Sequence, residues 1–160
     1  RALLKKSGTT FEWIDLNAII GEVVGLMNSN AVDRNVMVVT DPDPNLPLVR
    51  GDRIQLQQVV LNLMLNAFEA MDAQPRAERR ILIRTVLKEV LIAVAVIDTG
   101  SGVAADEIEK IFNPYHTSKP QGMGMGLSIC RSIVLRHQGR LWVENNAEGG
   151  ATFYFTLPAA

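Results

Sequence analysis

Between Leu16 and Met27 the apolar residues Leu16, Ile19, Ile20, Val23, Val24 and Met27 recur at the three-and-four spacing of one helix face. Asp15, directly before them, has the short acceptor side chain of a helix cap. Upstream, Phe11, Trp13 and Ile14 read as a short strand, and downstream Val36 to Thr40 reads as another. Asp41-Pro42-Asp43-Pro44-Asn45 is a turn cluster. Asp52 caps a second, longer helix that runs to about Met71. Gln74 to Arg79 is polar and loop-like. Two β-rich runs follow, Ile81–Leu87 and Val90–Ile97, and are expected to pair antiparallel across Lys88-Glu89. A short helix is expected over Ala105–Ile111, then a loop over residues 112–126. A third long helix covers about Leu127–His137 and stops at Gly139. Strands Arg140–Glu144 and Ala151–Leu157 close the chain. Strands and helices do not alternate regularly. That order predicts an α/β two-layer sandwich, a mixed sheet with helices on one face.

Composition narrows this only in places. With 160 residues the chain is long enough for one domain with a core of its own. Lys plus Arg is 16 and Asp plus Glu is 17, a net charge of -1. No basic excess therefore draws the chain to nucleic acid or to an anionic membrane. The lone Cys130 excludes an internal disulfide and a thiolate metal cluster, and its apolar helical surroundings make it a core residue. The longest uncharged stretch, Ile54 to Phe68, is interrupted by Gln55, Gln57, Gln58, Asn62 and Asn66 and is too short to span a bilayer. Residues 1–10 are basic without an apolar core, so they read as the tail of an upstream segment rather than a signal peptide. Residues 11–160 read as the domain. Arg1 in place of an initiator methionine adds the expectation of a longer parent.

Three patterns carry candidate chemistry. On the second helix, Gln58, Asn62, Asn66 and Glu69 fall within an arc of roughly 80°, while the rest of its circumference is almost all apolar. A solvated stripe is one reading. Amides, however, also coordinate hard cations or order water. Asp98-Thr99-Gly100-Ser101-Gly102 follows an apolar strand. It reads either as a plain turn or as a carboxylate beside a glycine-opened pocket for a flat ligand. Gly122-Met123-Gly124-Met125-Gly126 precedes a helix, where bare N–H groups bind anions, and Lys119 adds a cation; a hinge with a solvated lysine is the plainer alternative. The run is neither a Rossmann fingerprint nor a Walker loop.

Taken in order, these segments acquire specificity. Asn62-Leu63-Met64-Leu65-Asn66-Ala67 precedes Asp98-Thr99-Gly100-Ser101-Gly102. Phe112-Asn113-Pro114-Tyr115-His116-Thr117-Ser118-Lys119 comes next, then Gly122-Met123-Gly124-Met125-Gly126-Leu127, and finally Glu148-Gly149-Gly150-Ala151-Thr152-Phe153. The series resembles the ATP-binding catalytic domain of sensor histidine kinases. These belong to the GHKL superfamily, with type II topoisomerases, Hsp90 chaperones and MutL. The likeness covers about residues 11–158, and Asn66-Ala67-Phe68-Glu69-Ala70-Met71 with a short lid is most similar to the FixL and NtrB type.

The resemblance implies the Bergerat α/β sandwich and a set of roles. Asn66 would ligate Mg²⁺, with Asn62 as a second amide contact. Asp98 would accept from the adenine amino group, with Gly100 and Gly102 shaping that pocket and Thr152 holding an adenine-side water. Gly122, Gly124 and Gly126 would line the phosphates of ATP, with Leu127 beside them. Residues 112–124 would form the lid, anchored by Phe112, and Lys119 would lie near the phosphates. The implied partners are the histidine-bearing dimerisation domain of the same kinase and a response regulator, with neither nucleic acid nor membrane contacted directly. The implied location is cytoplasmic. Met123, Met125 and His116 depart from the usual lid residues. In the ATPase branches a glutamate occupies the place of Asn62 and activates water; an amide cannot act as a general base, which favours phosphoryl transfer over hydrolysis. The alternatives are a GHKL ATPase switch without a histidine acceptor, and a degenerate domain used only for protein contact. His116 reads as a lid contact. His137, at a helix C-terminus, would be favourable there as a partial cation without any function.

Overall fold

The computed structural model describes residues 10–114 and 126–160. His116, Lys119, Gly122, Gly124 and most of the expected lid lie outside the described residues, as do residues 1–9. Strand β1 (Glu12–Ile14) pairs antiparallel with β3 (Val49–Gly51) in a two-stranded ribbon. Between them come helices α1 (Leu16–Leu26) and α2 (Asn28–Asp33) and strand β2 (Met37–Asp41). Helix α3 (Arg53–Ala70) follows, then a 3-10 turn over Arg76–Glu78, strands β4 (Arg80–Lys88) and β5 (Leu91–Asp98), helix α4 (Gly126–Arg136), and strands β6 (Arg140–Asn145) and β7 (Ala151–Pro158). The larger sheet has the order β2-β4-β5-β7-β6. Its β2–β4 pair is parallel and the other three pairs are antiparallel, the mixed sheet expected from the element order.

Period-two alternation assigns the faces of this sheet. Along β5, Ile92, Val94, Val96 and Asp98 are buried while Ala93, Ala95 and Ile97 are less so. Register carries the same face across β7, where Ala151, Phe153, Phe155 and Leu157 are buried. Against that face pack α1, α3 and α4 through Leu16, Ile19, Leu63, Met64, Phe68, Ile133 and Val134. Both expected caps form. Asp15 accepts from the Ala18 N–H at 3.2 Å, and Asp52 accepts from the Gln55 N–H at 3.1 Å.

The structure corrects several expectations. The segment expected as a helix over Ala105–Ile111 is a run of turns, with Glu107 N–H donating to Ala104 and Lys110 N–H to Glu107 at 2.8 and 2.9 Å. Ile108 and Ile111 still pack against the core. Helix α2, with its polar Asn28-Ser29-Asn30 start, and the three-residue β3 have no periodicity to announce them. At the end of α4 the left-handed residue is Gln138 (φ 62), one position before Gly139. Gly139 is required for a different reason: a Cβ there would collide with the Thr156 carbonyl.

His137 is buried rather than solvated. Its Nε2 accepts from the Asp52 N–H at 3.0 Å, so the ring proton sits on Nδ1, 2.8 Å from the Ile133 carbonyl. Phe11 stacks on the ring with centroids 4.7 Å apart. The residue ties Phe11, directly before β1, to the start of α3 and the end of α4.

Candidate functional site

Asp98 is 1% exposed at the last position of β5. The β5–β7 ladder stops one residue short of it, at Ile97 opposite Thr152. Beyond that pair, side chains replace backbone partners. The Asp98 Oδ1 accepts from the N–H groups of Ala151 at 3.1 Å and Gly100 at 2.9 Å, and the Asp98 carbonyl accepts from Asn146 Nδ2 at 3.0 Å. Gly150, directly before β7, packs against the Asp98 carbonyl so closely that a Cβ there would collide with it. A cleft of about 560 Å³ opens at this end of β5. Asp98 lies in its wall with Ala151 and Phe153 of β7, Asn66 and Glu69 of α3, and Leu127 at the start of α4.

The glycines after Asp98 answer to distinct constraints. A Cβ on Gly100 would lie 2.6 Å from the Ala70 carbonyl, the same carbonyl that accepts from the Ser101 N–H at 3.2 Å. Gly100 therefore lets the turn close onto the end of α3. Gly102 has φ +80, and a Cβ there would meet Asn145 Oδ1 at 2.9 Å. The Asn145 side chain accepts from the Val103 N–H at 2.8 Å and donates to the Val103 carbonyl at 2.7 Å. Sequence reading did not single out Asn145 or Asn146, because an Asn-Asn before Glu148-Gly149-Gly150 looks like ordinary turn composition.

Of the expected site residues, Asn66, Asp98, Gly102 and Leu127 share the cleft. Phe112 is buried beside it, edge-on to Phe153 with centroids 6.1 Å apart. Gly126 is the first residue of α4, and among the described residues nothing lies within 4 Å of where a Cβ would be. Asn62 does not join the cleft wall. Its amide donates to the Gly126 carbonyl at 3.4 Å, tying α3 to the start of α4. Thr152 is not brought into the cleft either. Its neighbours Ala151 and Phe153 face that side, and the Thr152 hydroxyl donates to Asn146 Oδ1 at 2.5 Å.

The described wall carries Glu69, Asp72, Asp98, Asp106 and Glu107, and no lysine or arginine among the described residues. An anion held here needs a counter-charge from elsewhere. Behind the site, Cys130 packs between α4 and α3, its Sγ 3.8 Å from the Val59 carbonyl, and burial pushes its thiol up to about 12. The folded chain should therefore resist iodoacetamide at pH 8 and react once denatured, since the thiolate is the nucleophile. Mass spectrometry with and without guanidinium reads this directly; rapid alkylation of the folded chain would contradict the burial.

Residues 51–160 match the family described as histidine kinase-, DNA gyrase B- and HSP90-like ATPases. The sensor protein FixL of Bradyrhizobium diazoefficiens is 47% identical over 145 residues, which are 91% of this chain and 28% of FixL. The sensor histidine kinase TmoS of Ectopseudomonas mendocina is 34% identical over 163 residues, which cover 100% of this chain and 17% of TmoS. The chain thus spans less than a third of either relative. Among solved structures, the nucleotide-free catalytic domain of histidine kinase ThkA is similar at a TM-score of 0.84 and 33% identity, covering 94% of this chain and 97% of that one. A motif series in the expected order, a mixed sheet backed by helices and a near-complete overlay on a kinase catalytic domain converge: the chain belongs to the histidine kinase-, DNA gyrase B- and HSP90-like ATPase family, in its branch of histidine kinase catalytic domains.

Proposed function

We propose that the chain binds Mg-ATP in the Asp98 cleft and delivers the γ-phosphoryl group to a histidine on a separate helical domain of the same kinase. The observation that carries this reading is the Asp98 carboxylate. Two backbone N–H groups fix it on one oxygen in the wall of a cleft large enough for a nucleotide. A carboxylate so held suits an exocyclic amino donor such as that of adenine.

The residues present fit a hard cation. Asn66 lines the cleft one turn before Glu69, and its amide oxygen would be the cation's ligand. Among the described residues no group of three or more His, Cys, Asp or Glu could hold a metal ion by itself. Mg²⁺ suits such a site, because it keeps waters and takes phosphate oxygens alongside one or two protein ligands. When bound it would offset the phosphate charge that the acidic wall opposes. Lys119 and the glycines Gly122, Gly124 and Gly126 are proposed to meet the phosphates from the lid side. Gly100 and Gly102 shape the base end of the pocket, and Phe112 anchors the lid.

Asn62 favours transfer over hydrolysis. Its side chain is an amide donating to Gly126, with no group to take a proton from water. In the transfer the bond from the γ-phosphorus to its bridging oxygen breaks, ADP leaves with that electron pair, and a bond to the acceptor imidazole nitrogen forms. The histidine proton passes to a base outside this chain. ThkA has been solved in complex with the response regulator protein TrrA; at 31% identity this likeness supports a response regulator as the next partner here. No described helix is long and apolar enough to cross a membrane, and the domain is proposed to act in the cytoplasm.

Calorimetry with ATP, with and without Mg²⁺, tests the reading. The unmutated chain should bind Mg-ATP, and Asn66→Ala should weaken it by about tenfold or more while retaining the fold. Unchanged Mg-ATP affinity in a folded Asn66→Ala chain would remove Asn66 from the metal site.

A further inference from the structure

The loop that walls the base end of the cleft is held from outside by a residue that does not line it. Ser101, Gly102 and Val103 face the cleft, yet the β5–β7 ladder has already stopped, so no described strand pairs with this loop. Asn145, the last residue of β6 and 42 positions away, takes over that support. Its amide pairs with both backbone groups of Val103, at 2.8 Å and 2.7 Å, as a neighbouring strand residue would. Gly102 has the φ of +80 and the missing Cβ that let the amide approach this closely. Asn146, next in the chain, holds the carbonyl of Asp98 at 3.0 Å. One dipeptide therefore grips both the residue that points into the cleft and the loop that walls it.

We infer that Asn145 is a positioning residue for nucleotide binding, clamping the Gly102–Val103 wall in the conformation that accepts the base. The inference rests on the nucleotide reading above and extends it to a residue outside the cleft. The physical content is a population. With the clamp, the loop sits mostly in the binding-competent state. Without it, the competent fraction falls, and apparent affinity falls by that same fraction. The clamp acts at the base end, so ATP and ADP should suffer equally.

Two variants test this. Asn145→Ala removes both hydrogen bonds. Asn145→Asp is nearly isosteric; it keeps an acceptor for the Val103 N–H but sets a carboxylate against the Val103 carbonyl. Each should speed amide exchange at Val103 by about tenfold and raise the Kd for both Mg-ATP and ADP by a matching factor. Exchange at Ile92 and Val94, deep in the sheet, should be unchanged, and saturating ADP should restore Val103 protection. If Asn145→Ala does not fold, Asn145→Asp carries the comparison. Faster Val103 exchange with unchanged nucleotide affinity, or an affinity loss confined to ATP, overturns the clamp. An unmutated chain that binds neither nucleotide overturns the nucleotide reading itself, and the clamp's role with it.

Discussion

Asp98→Asn is expected to fold normally and to bind ATP more weakly, whereas Asp98→Ala is expected to lose both ATP and stability. The difference follows from what Oδ1 does. It accepts from the Gly100 and Ala151 N–H groups inside a residue that is 1% exposed. The asparagine carbonyl oxygen can keep both of those bonds. Its Nδ2 then presents a donor where the carboxylate presented an acceptor, so the adenine amino group meets donor against donor. Alanine instead leaves two buried N–H groups without their acceptor, at about 1–3 kcal/mol each. That is a large part of the stability of an ordinary domain. In the unmutated chain the guanine carbonyl would face the carboxylate acceptor to acceptor. ATP should outcompete GTP by roughly a hundredfold. Competition calorimetry measures the ratio, and thermal unfolding separates the two variants. For Asp98→Asn the ATP–GTP gap should narrow, because an amide can donate to the guanine oxygen. Equal competition by GTP against ATP in the unmutated chain would remove Asp98 from base recognition.

What could be read from the sequence was whatever obeys a local period. The β-rich runs Val90–Ile97 and Ala151–Leu157 announced two strands, but which face of each is buried came only with the sheet. Asp15 and Asp52 announced two helix starts, because a cap needs only a few residues of context. Asn66 and Asp98 could be singled out because each stands in a short motif, and the cleft brings them together. Interactions set by register or by long separations were hidden. Thr152 lies between two cleft residues in sequence, but a strand sends alternate side chains to opposite faces, so its hydroxyl turns to Asn146. Val103, the partner of Asn145, and Asp52, the distant partner of His137, lie 42 and 85 residues away, so no window of sequence contains them. Residues 105–111 form turns although Ile108 and Ile111 pack on the core at helical spacing, so a short apolar spacing does not by itself distinguish a helix from successive turns.

Incubated alone with γ-labelled ATP and Mg²⁺, the 160-residue chain should bind nucleotide and remain unlabelled. It has two histidines, and neither suits the role of acceptor. His137 is 4% exposed, and both ring nitrogens are engaged: Nδ1 with the Ile133 carbonyl at 2.8 Å and Nε2 with the Asp52 N–H at 3.0 Å. Attack would require a free lone pair, hence breaking the contact at the start of α3 and unstacking Phe11. Distance excludes it as well. His137 follows the end of α4, whose first residue is Gly126, so about eleven residues at 1.5 Å each separate it from the proposed phosphate end by roughly 16 Å. In-line transfer needs the acceptor nitrogen within about 3–3.5 Å of the phosphorus. His116 is followed by Thr117, where the acceptor histidine of these kinases is followed by an acidic residue. Transfer therefore needs a histidine supplied by another domain, in the same polypeptide or in trans. Adding a separate histidine-bearing helical domain of a parent kinase should produce acid-labile, base-stable label on that domain alone. Stoichiometric label of the same kind on His116 or His137 of the isolated chain would overturn this account, because it would place the acceptor inside the catalytic domain itself.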